Sequence, residues 1–272
     1  MSLNIQSLHA KFNEFQELIV NLTVKKCPPD IILLQEIWQI QNAPSLQLDL
    51  YSSLELKSRT NNTQGGGVGI YFKNNLSYNI LREKFIDRVI ETIFAEVWTT
   101  DNKKIIIASL YRPNVNHPTL SSSEQFCQFI DLFSNILNSF SSSNTPVYIF
   151  GDFNLDALKY NIANQVTEYI DNLFSHGFIQ IIMKPTGCTP TTSTLIDHIV
   201  TNSRISIFET VILISKISDH FPIIFFTKNQ KNMNKQKTIT YQNFSEEAVN
   251  GFKNRFKNIN WNFLNTVESV QQ

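Results

Sequence analysis

Polar side chains that could bind a cation or move a proton follow apolar runs at several points in the chain. Glu36 comes after the run 31–34, and Asp152 and Asn154 come after the run 147–150. Short runs of β-branched and aromatic residues predict buried strands, so each of these side chains is expected at the rim of a sheet. Taken alone, each segment also has an ordinary explanation, because Asp, Asn and Gly are common turn formers at strand ends.

Two further segments place an acid beside a histidine. Asp197 precedes His198 inside an apolar run, and Asp219 precedes His220 just before the last predicted strand. Hydrolysis of a phosphodiester calls for hard oxygen ligands for a divalent cation, a base that activates water, and a donor to the phosphate oxygens. The segments together supply these residue types, and the combination is more specific than any one of them.

The interpretation of one of these pairs, and of two further positions, depends on the surrounding structure. Asp152 and Asn154 are two residues apart, so we expect both on one side of the chain if the backbone stays extended. Tyr111 follows the apolar run 105–110, where a tyrosine that closes a strand edge is about as plausible as a substrate contact. Asn4 near the start of the chain carries no signal by itself.

The elements that would hold these residues alternate between strand and helix patterns. Helical spacing of apolar residues is clearest at 124–140, where Ser121 and Glu124 predict a capping box, and it recurs at 12–22 and 166–174. Helices are therefore interleaved with strands, and both sets of apolar faces are expected in the core. Strands are predicted at 31–34, 68–72, 93–98, 105–110, 147–150, 196–201 and 223–226.

The composition bounds the class of protein. The chain has 272 residues, of which 42% are hydrophobic and 21 are phenylalanine, so it can bury a substantial core. The formal net charge is zero, so there is no overall basic footprint and any contact with DNA must be local. The three cysteines, without a metal-binding spacing, are expected to be reduced core thiols.

No apolar run approaches the roughly 18 residues that a membrane span requires, so we expect no membrane association. The N-terminal segment has neither a charged leader nor an apolar stretch. The expected location is intracellular, in the nucleus or the cytoplasm, and not secreted. The oligomeric state is not predicted.

A change of composition marks a domain boundary near residue 228. The segment 228–237 contains four lysines, no acid and almost no apolar residue, which is typical of a linker. Beyond it, Ser245 followed by Val249, Phe252 and Phe256 predicts a short capped amphipathic helix. We therefore expect one domain over 1–228 and a polar basic linker with a short helical connector over 229–272.

Six ordered segments carry a family resemblance. They resemble the successive signatures of the endonuclease/exonuclease/phosphatase superfamily, over nearly all of residues 1–228. Three segments, Gly-Gly-Gly-Val-Gly-Ile-Tyr at 65–71, Leu-Tyr-Arg-Pro at 110–113 and Thr-Leu-Ile-Asp-His at 194–198, narrow the resemblance to the endonuclease domain of jockey-like non-LTR retrotransposons. The six segments are Asn-Ile-x-Ser-Leu at 4–8, Leu-Gln-Glu at 34–36, Ser-Leu-Tyr-Arg-Pro at 109–113, Gly-Asp-Phe-Asn at 151–154, 189–198 and Ser-Asp-His at 218–220.

The resemblance implies a fold and an activity. The fold would be a DNase I-like, four-layered α/β sandwich, in which two packed mixed β-sheets are flanked by helices. The activity would be nicking of DNA by attack of an activated water on the phosphodiester, with Mg²⁺, or Mn²⁺ in its place, at one end of the sandwich. DNA would be the partner.

The resemblance also implies a cation site. Glu36 would be the main metal ligand, and Asn4 and Asp219 would complete the metal environment. Some relatives carry an acid two positions after the equivalent of Asn4, whereas Gln6 stands there in this chain. Cation binding would therefore depend more heavily on Glu36.

The remaining roles concern the phosphate and the water. Asp152 would orient or deprotonate the attacking water, and Asn154 would hold water or a phosphate oxygen. His220, oriented by Asp197, would stabilise charge that develops on the phosphate, and the base is left open between the histidine and the aspartate. Two further residues would contact the phosphate or DNA, namely Tyr111 and Thr189.

Two alternatives stay open. Another activity on the same scaffold is possible in principle, because fold does not fix substrate: a phosphomonoesterase on inositol phosphates, a sphingomyelinase or a nuclease acting on RNA. The second alternative is a decayed, inactive element. The segments at 244–247 and 260–261 resemble a connector toward a reverse transcriptase, but no adjacent pair of aspartates follows an aromatic residue, so we do not expect DNA synthesis.

Overall fold

The computed structural model describes residues 1–40, 43–59, 65–99, 102–141, 144–188, 191–203, 208–227 and 246–258. Within them the chain forms two six-stranded sheets and one two-stranded ribbon. The strands are β1 (Ser2–Asn4), β2 (Ile31–Gln35), β3 (Glu55–Lys57), β4 (Val68–Phe72), β5 (Ser77–Ile86), β6 (Ile90–Trp98), β7 (Lys104–Tyr111), β8 (Val147–Asp152), β9 (Ile179–Gln180), β10 (Gly187–Cys188), β11 (Ser193–Thr194), β12 (Asp197–Thr201), β13 (Phe208–Ile212) and β14 (Ile223–Thr227).

The two large sheets are both mixed. The first has the order β13-β14-β1-β2-β4-β3 and the second β5-β6-β7-β8-β12-β9. Each contains one parallel pair, β1 with β2 and β7 with β8, among antiparallel neighbours. The strands of a parallel pair end at the same edge, so residues that follow β1 and β2, or β7 and β8, come out side by side.

Helices cover the outer faces of the sheets. These are α1 (Phe12–Val24), α2 (Ser122–Ser141) and α3 (Asn164–Ser175). The predicted capping box at the start of α2 is confirmed, since Glu124 N–H donates to Ser121 Oγ and Ser121 N–H donates back to Glu124 Oε2 at 2.9 Å. The helices thus begin and end close to the positions that the apolar spacing predicts.

Three apolar layers hold the elements together. One lies between the two sheets and includes Leu33 and Ile70 from the first and Ile107 from the second. One packs α2 and α3 on the second sheet, where full burial of a ring such as Phe133 contributes about 1.5–3 kcal/mol. The third packs α1 on the first sheet. The order is helix, sheet, sheet, helix, which confirms the expected four-layered sandwich of two mixed sheets.

Some expectations about individual positions were wrong. Phe174 was expected on the buried face of α3, but it is 57% exposed, because the face of the helix that packs on the sheet carries Val166, Tyr169 and Leu173. Cys127 was expected in the core, yet it lies on the exposed side of α2. Cys27 is half-buried, and both thiols are free.

The chain divides into two compact units, Met1–Asn229 and Gln230–Gln272. In the second unit the described element is the helix α4 (Glu246–Lys257). The predicted linker at 228–237 and the predicted cap Ser245 lie outside the described residues. Among the described helices, none has both the length and the apolar character to cross a bilayer.

Candidate active site

The two sheets bring their polar strand ends to one place. Asn4 is in register with Gln35, the residue before Glu36, on the parallel pair β1 and β2. In the second sheet Tyr111 is in register with Asp152, and Asp152 with Asp197, across β7, β8 and β12. A row of three site residues therefore crosses the second sheet, and it faces the ends of β1 and β2.

Asn4 joins the two sheets directly. It is fully buried, and its Nδ2 donates to Glu36 Oε1 and to Asp152 Oδ2, both at 2.8 Å. Its Oδ1 accepts from the backbone N–H of Gln6 at 3.2 Å. The amide nitrogen of Asn4, rather than its oxygen, thus faces the carboxylates, which makes Asn4 a bridge between Glu36 and Asp152.

Glu36 sits on a strained stretch of backbone. Its φ is +51°, and that of Trp38 is +61°, in the left-handed region where a side chain costs about 1–3 kcal/mol. The carboxylate is half-buried, and besides the Asn4 amide it accepts from Trp38 Nε1 at 3.3 Å. Burial, reinforced by the charges of Glu36 and Asp152, raises the pKa of Tyr111, so its hydroxyl stays protonated and remains a donor.

Asp152 is buried and held by several donors. Its Oδ1 accepts from the backbone N–H of Asn154 at 2.9 Å, and its Oδ2 accepts from Asn154 Nδ2 at 3.3 Å. Burial, together with the charge of Asp197, raises the pKa of Asp152 to about 7, although His220 and the hydrogen bonds oppose the shift. This carboxylate can therefore exchange a proton near neutral pH.

Asn154 reaches Asp152 by a different route from the one expected. The chain does not stay extended after β8, because Asn154 adopts a φ of +49°. The turn brings its Nδ2 within 2.8 Å of the Arg112 carbonyl and 3.3 Å of Asp152 Oδ2. The expected proximity is present, but a left-handed turn and not the strand period produces it.

His220 forms an ion pair with Asp197. Its Nδ1 lies 3.0 Å from Asp197 Oδ1 and 2.9 Å from Oδ2. Burial alone would lower the pKa of His220, but Asp197, with smaller contributions from Asp152 and Asp219, raises it to about 10. The ring is thus an imidazolium at neutral pH, and its Nε2 lies 4.0 Å from Asp152 Oδ2 and 3.8 Å from Asp219 Oδ1.

The neighbouring His198 has a structural role. Its Nε2 donates to the Leu195 carbonyl at 3.0 Å, and its Nδ1 lies 3.0 Å from the Tyr169 hydroxyl. Burial lowers the pKa of His198 to about 4, which keeps it neutral. Of the two Asp-His segments, only the second contributes its histidine to the site.

Sequence reasoning missed two groups that support the Asp197–His220 pair. Thr186 Oγ1 donates to Asp197 Oδ2 at 2.6 Å and is fully buried. Ser218 Oγ donates to the Asn4 carbonyl at 2.7 Å and accepts from the His220 N–H at 3.2 Å. Ser218 belongs to the Ser-Asp-His segment, which was a usable signal, whereas nothing in the local sequence distinguishes Thr186 from other threonines.

The cluster offers oxygen ligands for a divalent cation. One ligand atom each from Asp152, Asp197 and His220 lie within 4.8 Å of one another, but the protonated His220 ring already supplies positive charge to these two carboxylates. Glu36 is half-buried and Asp219 is 64% exposed, and in the described part of the chain neither forms an ion pair with Lys or Arg. Carboxylate oxygens are the ligands that Mg²⁺ prefers, so Glu36 and Asp219 fit a divalent cation.

An open pocket of about 670 Å³ adjoins the site on the side of Asn154. Its wall is partly polar and includes Asn114, Lys159, Asn164 and Thr194. Volumes of this order accommodate small organic ligands. The pocket therefore places room for a ligand directly beside Asn154.

Eight of the nine predicted site residues, Asp152 included, lie in one cluster. Thr189, the remaining predicted contact, lies outside the described residues. The residues brought together are Asn4, Glu36, Tyr111, Asp152, Asn154, Asp197, Asp219 and His220.

Comparisons with known proteins agree with this architecture. A family model described as the endonuclease/exonuclease/phosphatase family matches residues 1–220. No curated protein sequence matches the chain.

Similar solved structures share the fold at low sequence identity. The catalytic domain of APE2 from Xenopus laevis has a TM-score of 0.62 at 18% identity, over 83% of this chain and 90% of that one. A 3′ phosphatase from Neisseria, NExo, bound to a product DNA hairpin, has a TM-score of 0.58 at 14% identity, over 82% and 96%. The endonuclease domain of TRAS1, a telomere-specific non-LTR retrotransposon, has a TM-score of 0.55 at 12% identity, over 82% and 94%.

Proposed function

The chain belongs to the endonuclease/exonuclease/phosphatase family, and from this premise we propose that it is a divalent-cation-dependent endonuclease that nicks DNA. We further propose that it comes from, or derives from, a non-LTR retrotransposon of the jockey-like type. Residues 1–228 would be the catalytic domain and 229–272 a connector. We also propose that it works in the nucleus or the cytoplasm.

One observation carries the proposal. A single amide, that of Asn4, hydrogen-bonds Glu36 from the first sheet and Asp152 from the second, and Asp152 lies beside the Asp197–His220 pair. A cation ligand, a proton acceptor and a charged donor are thus within one cluster. These are the groups that water-mediated cleavage of a phosphodiester calls for.

Glu36 and Asp219 would hold the cation. Asp219 is exposed and Glu36 is half-buried, and hydrogen bonds from Asn4 and Trp38 fix the orientation of the Glu36 carboxylate. When bound, Mg²⁺, or Mn²⁺ in its place, would neutralise charge on the phosphate and assist departure of the 3′ oxygen.

We assign the role of base to Asp152 on the pKa values of the two candidates. With a pKa raised to about 7, Asp152 can accept a proton from water near neutral pH. The pKa of His220 is raised to about 10, so its ring is already protonated and cannot accept one. Asn154 would hold the water or a phosphate oxygen. Because its Nδ2 already donates to Asp152 and to the Arg112 carbonyl, its Oδ1 would accept a hydrogen bond from the water.

His220 would stabilise the negative charge that develops on the phosphate. Asp197 fixes the ring through Nδ1 and leaves Nε2 to donate. The Tyr111 hydroxyl is a protonated donor at the same site, and Thr189 remains a proposed contact with phosphate or DNA. The adjoining pocket beside Asn154 would receive the nucleotide next to the cleaved bond.

The proposal is tested by nicking of supercoiled plasmid in Mg²⁺, in Mn²⁺ and in chelator, with Glu36→Ala beside the unaltered chain. Nicking that needs the cation and Glu36 is expected. Phosphate release from inositol phosphates without plasmid nicking would replace DNA by a different substrate. Absence of every activity from folded protein would identify a decayed element.

A further inference from the structure

A buried ion pair lies outside the site described above. Arg59 is 8% exposed and Glu91 is fully buried. Arg59 Nε lies 2.7 Å and Nη2 2.6 Å from Glu91 Oε1. Buried ion pairs are weak contributors to stability, because desolvation of both charges offsets their attraction. Stability alone therefore does not account for this pair.

The pair is packed against the glycine run that the sequence singled out. The other oxygen of Glu91, Oε2, accepts from the Gly67 N–H. A Cβ on Gly66 would lie 2.5 Å from Arg59 Nε and 2.7 Å from Glu91 Oε1. Gly66 and Gly67 have φ values of +72° and +85°, so only glycine can follow this path over the two side chains.

The carbonyl groups of the same glycines hydrogen-bond the backbone that follows Glu36. The Trp38 N–H donates to the Gly66 carbonyl at 2.8 Å, and the Ile37 N–H donates to the Gly67 carbonyl at 3.3 Å. Glu36 and Trp38 both adopt left-handed backbone angles, which persist only when the surroundings impose them. The ion pair, the glycines and the segment 36–38 form one continuous chain of contacts.

A second connection runs through Tyr111. Glu91 is the cross-strand neighbour of Tyr111 between β6 and β7, and Tyr111 is in turn in register with Asp152 on β8. The buried pair therefore contacts the segment 36–38 through the glycine run and also lies beside Tyr111 of the candidate site.

We propose that Arg59 and Glu91 are positioning residues that fix the Glu36 carboxylate in the orientation needed to bind the divalent cation. This inference rests on the proposed function of Glu36. The glycine run is then required for cation binding, since it transmits the position of the buried pair to the segment 36–38. Loss of a group that orients a metal ligand typically weakens metal affinity about 10- to 100-fold.

The test uses the double variant Arg59→Met/Glu91→Gln, which removes both charges and keeps an acceptor for the Gly67 N–H. Calorimetric titration of the full chain with MnCl₂ is expected to give about 10- to 100-fold weaker binding. Hydrogen exchange without any cation is expected to show faster exchange of the Ile37 and Trp38 amides. Arg59→Lys, which keeps the charge, is expected to restore part of the affinity when Glu91 is present.

A matched control is available on the same strand. Glu96 on β6 pairs with Lys104 at 2.6 Å but does not contact the glycine run, so Glu96→Gln is expected to leave Mn²⁺ affinity and amide exchange at 37 and 38 unchanged. A folded double variant with unaltered Mn²⁺ affinity and unaltered exchange would overturn the inference. If the unaltered chain binds no Mn²⁺ but the amides lose protection in the double variant, the positioning of Glu36 stands and the proposed function fails.

Discussion

The two halves of the site differ in how their charges are compensated. In the half built on the second sheet, Asp152 and Asp197 are buried and His220 supplies their positive charge. In the other half, Glu36 and Asp219 are accessible, and only neutral donors and the shared His220 ring meet them among the described residues. The raised pKa values of Asp152 and His220 support the proton-handling role that we propose for the first half. For the second half we propose that a cation from solution balances the charge.

Removal of the proton-handling groups should have the largest effect. For Asp152→Ala or His220→Ala we expect the single-turnover nicking rate to fall by at least about 100- to 1000-fold, as when one preorganised donor is lost. The half-saturating Mg²⁺ concentration should change much less. Rates should be measured on variants whose thermal unfolding shows an intact fold, and retained activity in either variant would count against the division of roles.

In the half of the site that contains Glu36 and Asp219, substitutions should change the Mg²⁺ requirement more than the rate at saturating Mg²⁺. Glu36→Gln keeps the shape and loses the charge, so the half-saturating Mg²⁺ concentration should rise by at least about 10-fold. Saturating Mg²⁺ should restore part of the rate, which it should not do for Asp152→Asn. Equal Mg²⁺ dependence in the two variants would remove the distinction between the halves.

The pH profile sharpens the comparison. Because Asp152 must be ionised and His220 protonated, the nicking rate should rise as pH passes the raised pKa of Asp152, about 7, and fall as pH passes that of His220, about 10. The charge of Asp197 raises both pKa values, so Asp197→Asn should move both limbs to lower pH, by about 1 to 3 units. If the rise and the fall of the nicking rate stay at the same pH in Asp197→Asn, groups other than Asp152 and His220 control the pH profile.

The smallest effect on nicking is expected when the hydrogen bond from Thr186 to Asp197 is removed. Thr186→Val removes the 2.6 Å hydrogen bond to Asp197 Oδ2 with little change of volume, which should lower the free energy of unfolding by about 1.5–3 kcal/mol, the range for a hydrogen bond to a charged group. The smaller effect on nicking should appear in kcat and in the upper pH limb, not in the Mg²⁺ requirement. A Thr186→Ser variant, which keeps the hydroxyl, should recover most of the rate.

The fold was predictable where local pattern decides burial. The seven predicted strands and three main helices appear in the structure because their apolar spacing matches the faces that pack between layers. The strand β5 was missed because it is an edge strand, and its mixed, largely exposed residues show no alternation. The exposure of Phe174 and Cys127 depends on where each helix meets its sheet, which spacing within one helix does not report.

The site was predictable in its membership more than in its contacts. Ordered segments identified Glu36, Asp152 and His220, and the structure brings them together. Thr186 was missed because its partner Asp197 is 11 residues away and the contact exists only in the folded chain. The left-handed turn at Asn154 and the bridging amide of Asn4 were missed for the same reason, since both depend on partners supplied by other strands.

The most direct test of the central claim, that Glu36 and Asp219 hold a divalent cation beside His220, is paramagnetic broadening of histidine ring signals by Mn²⁺. His176 is a remote reference, because it caps α3 near β9, which pairs with Thr201 at the far end of β12 from Asp197. Substoichiometric Mn²⁺ should broaden the His220 signals well before those of His176, and Glu36→Ala should abolish the difference. Equal broadening of both rings, or selective broadening that survives Glu36→Ala, would contradict the account.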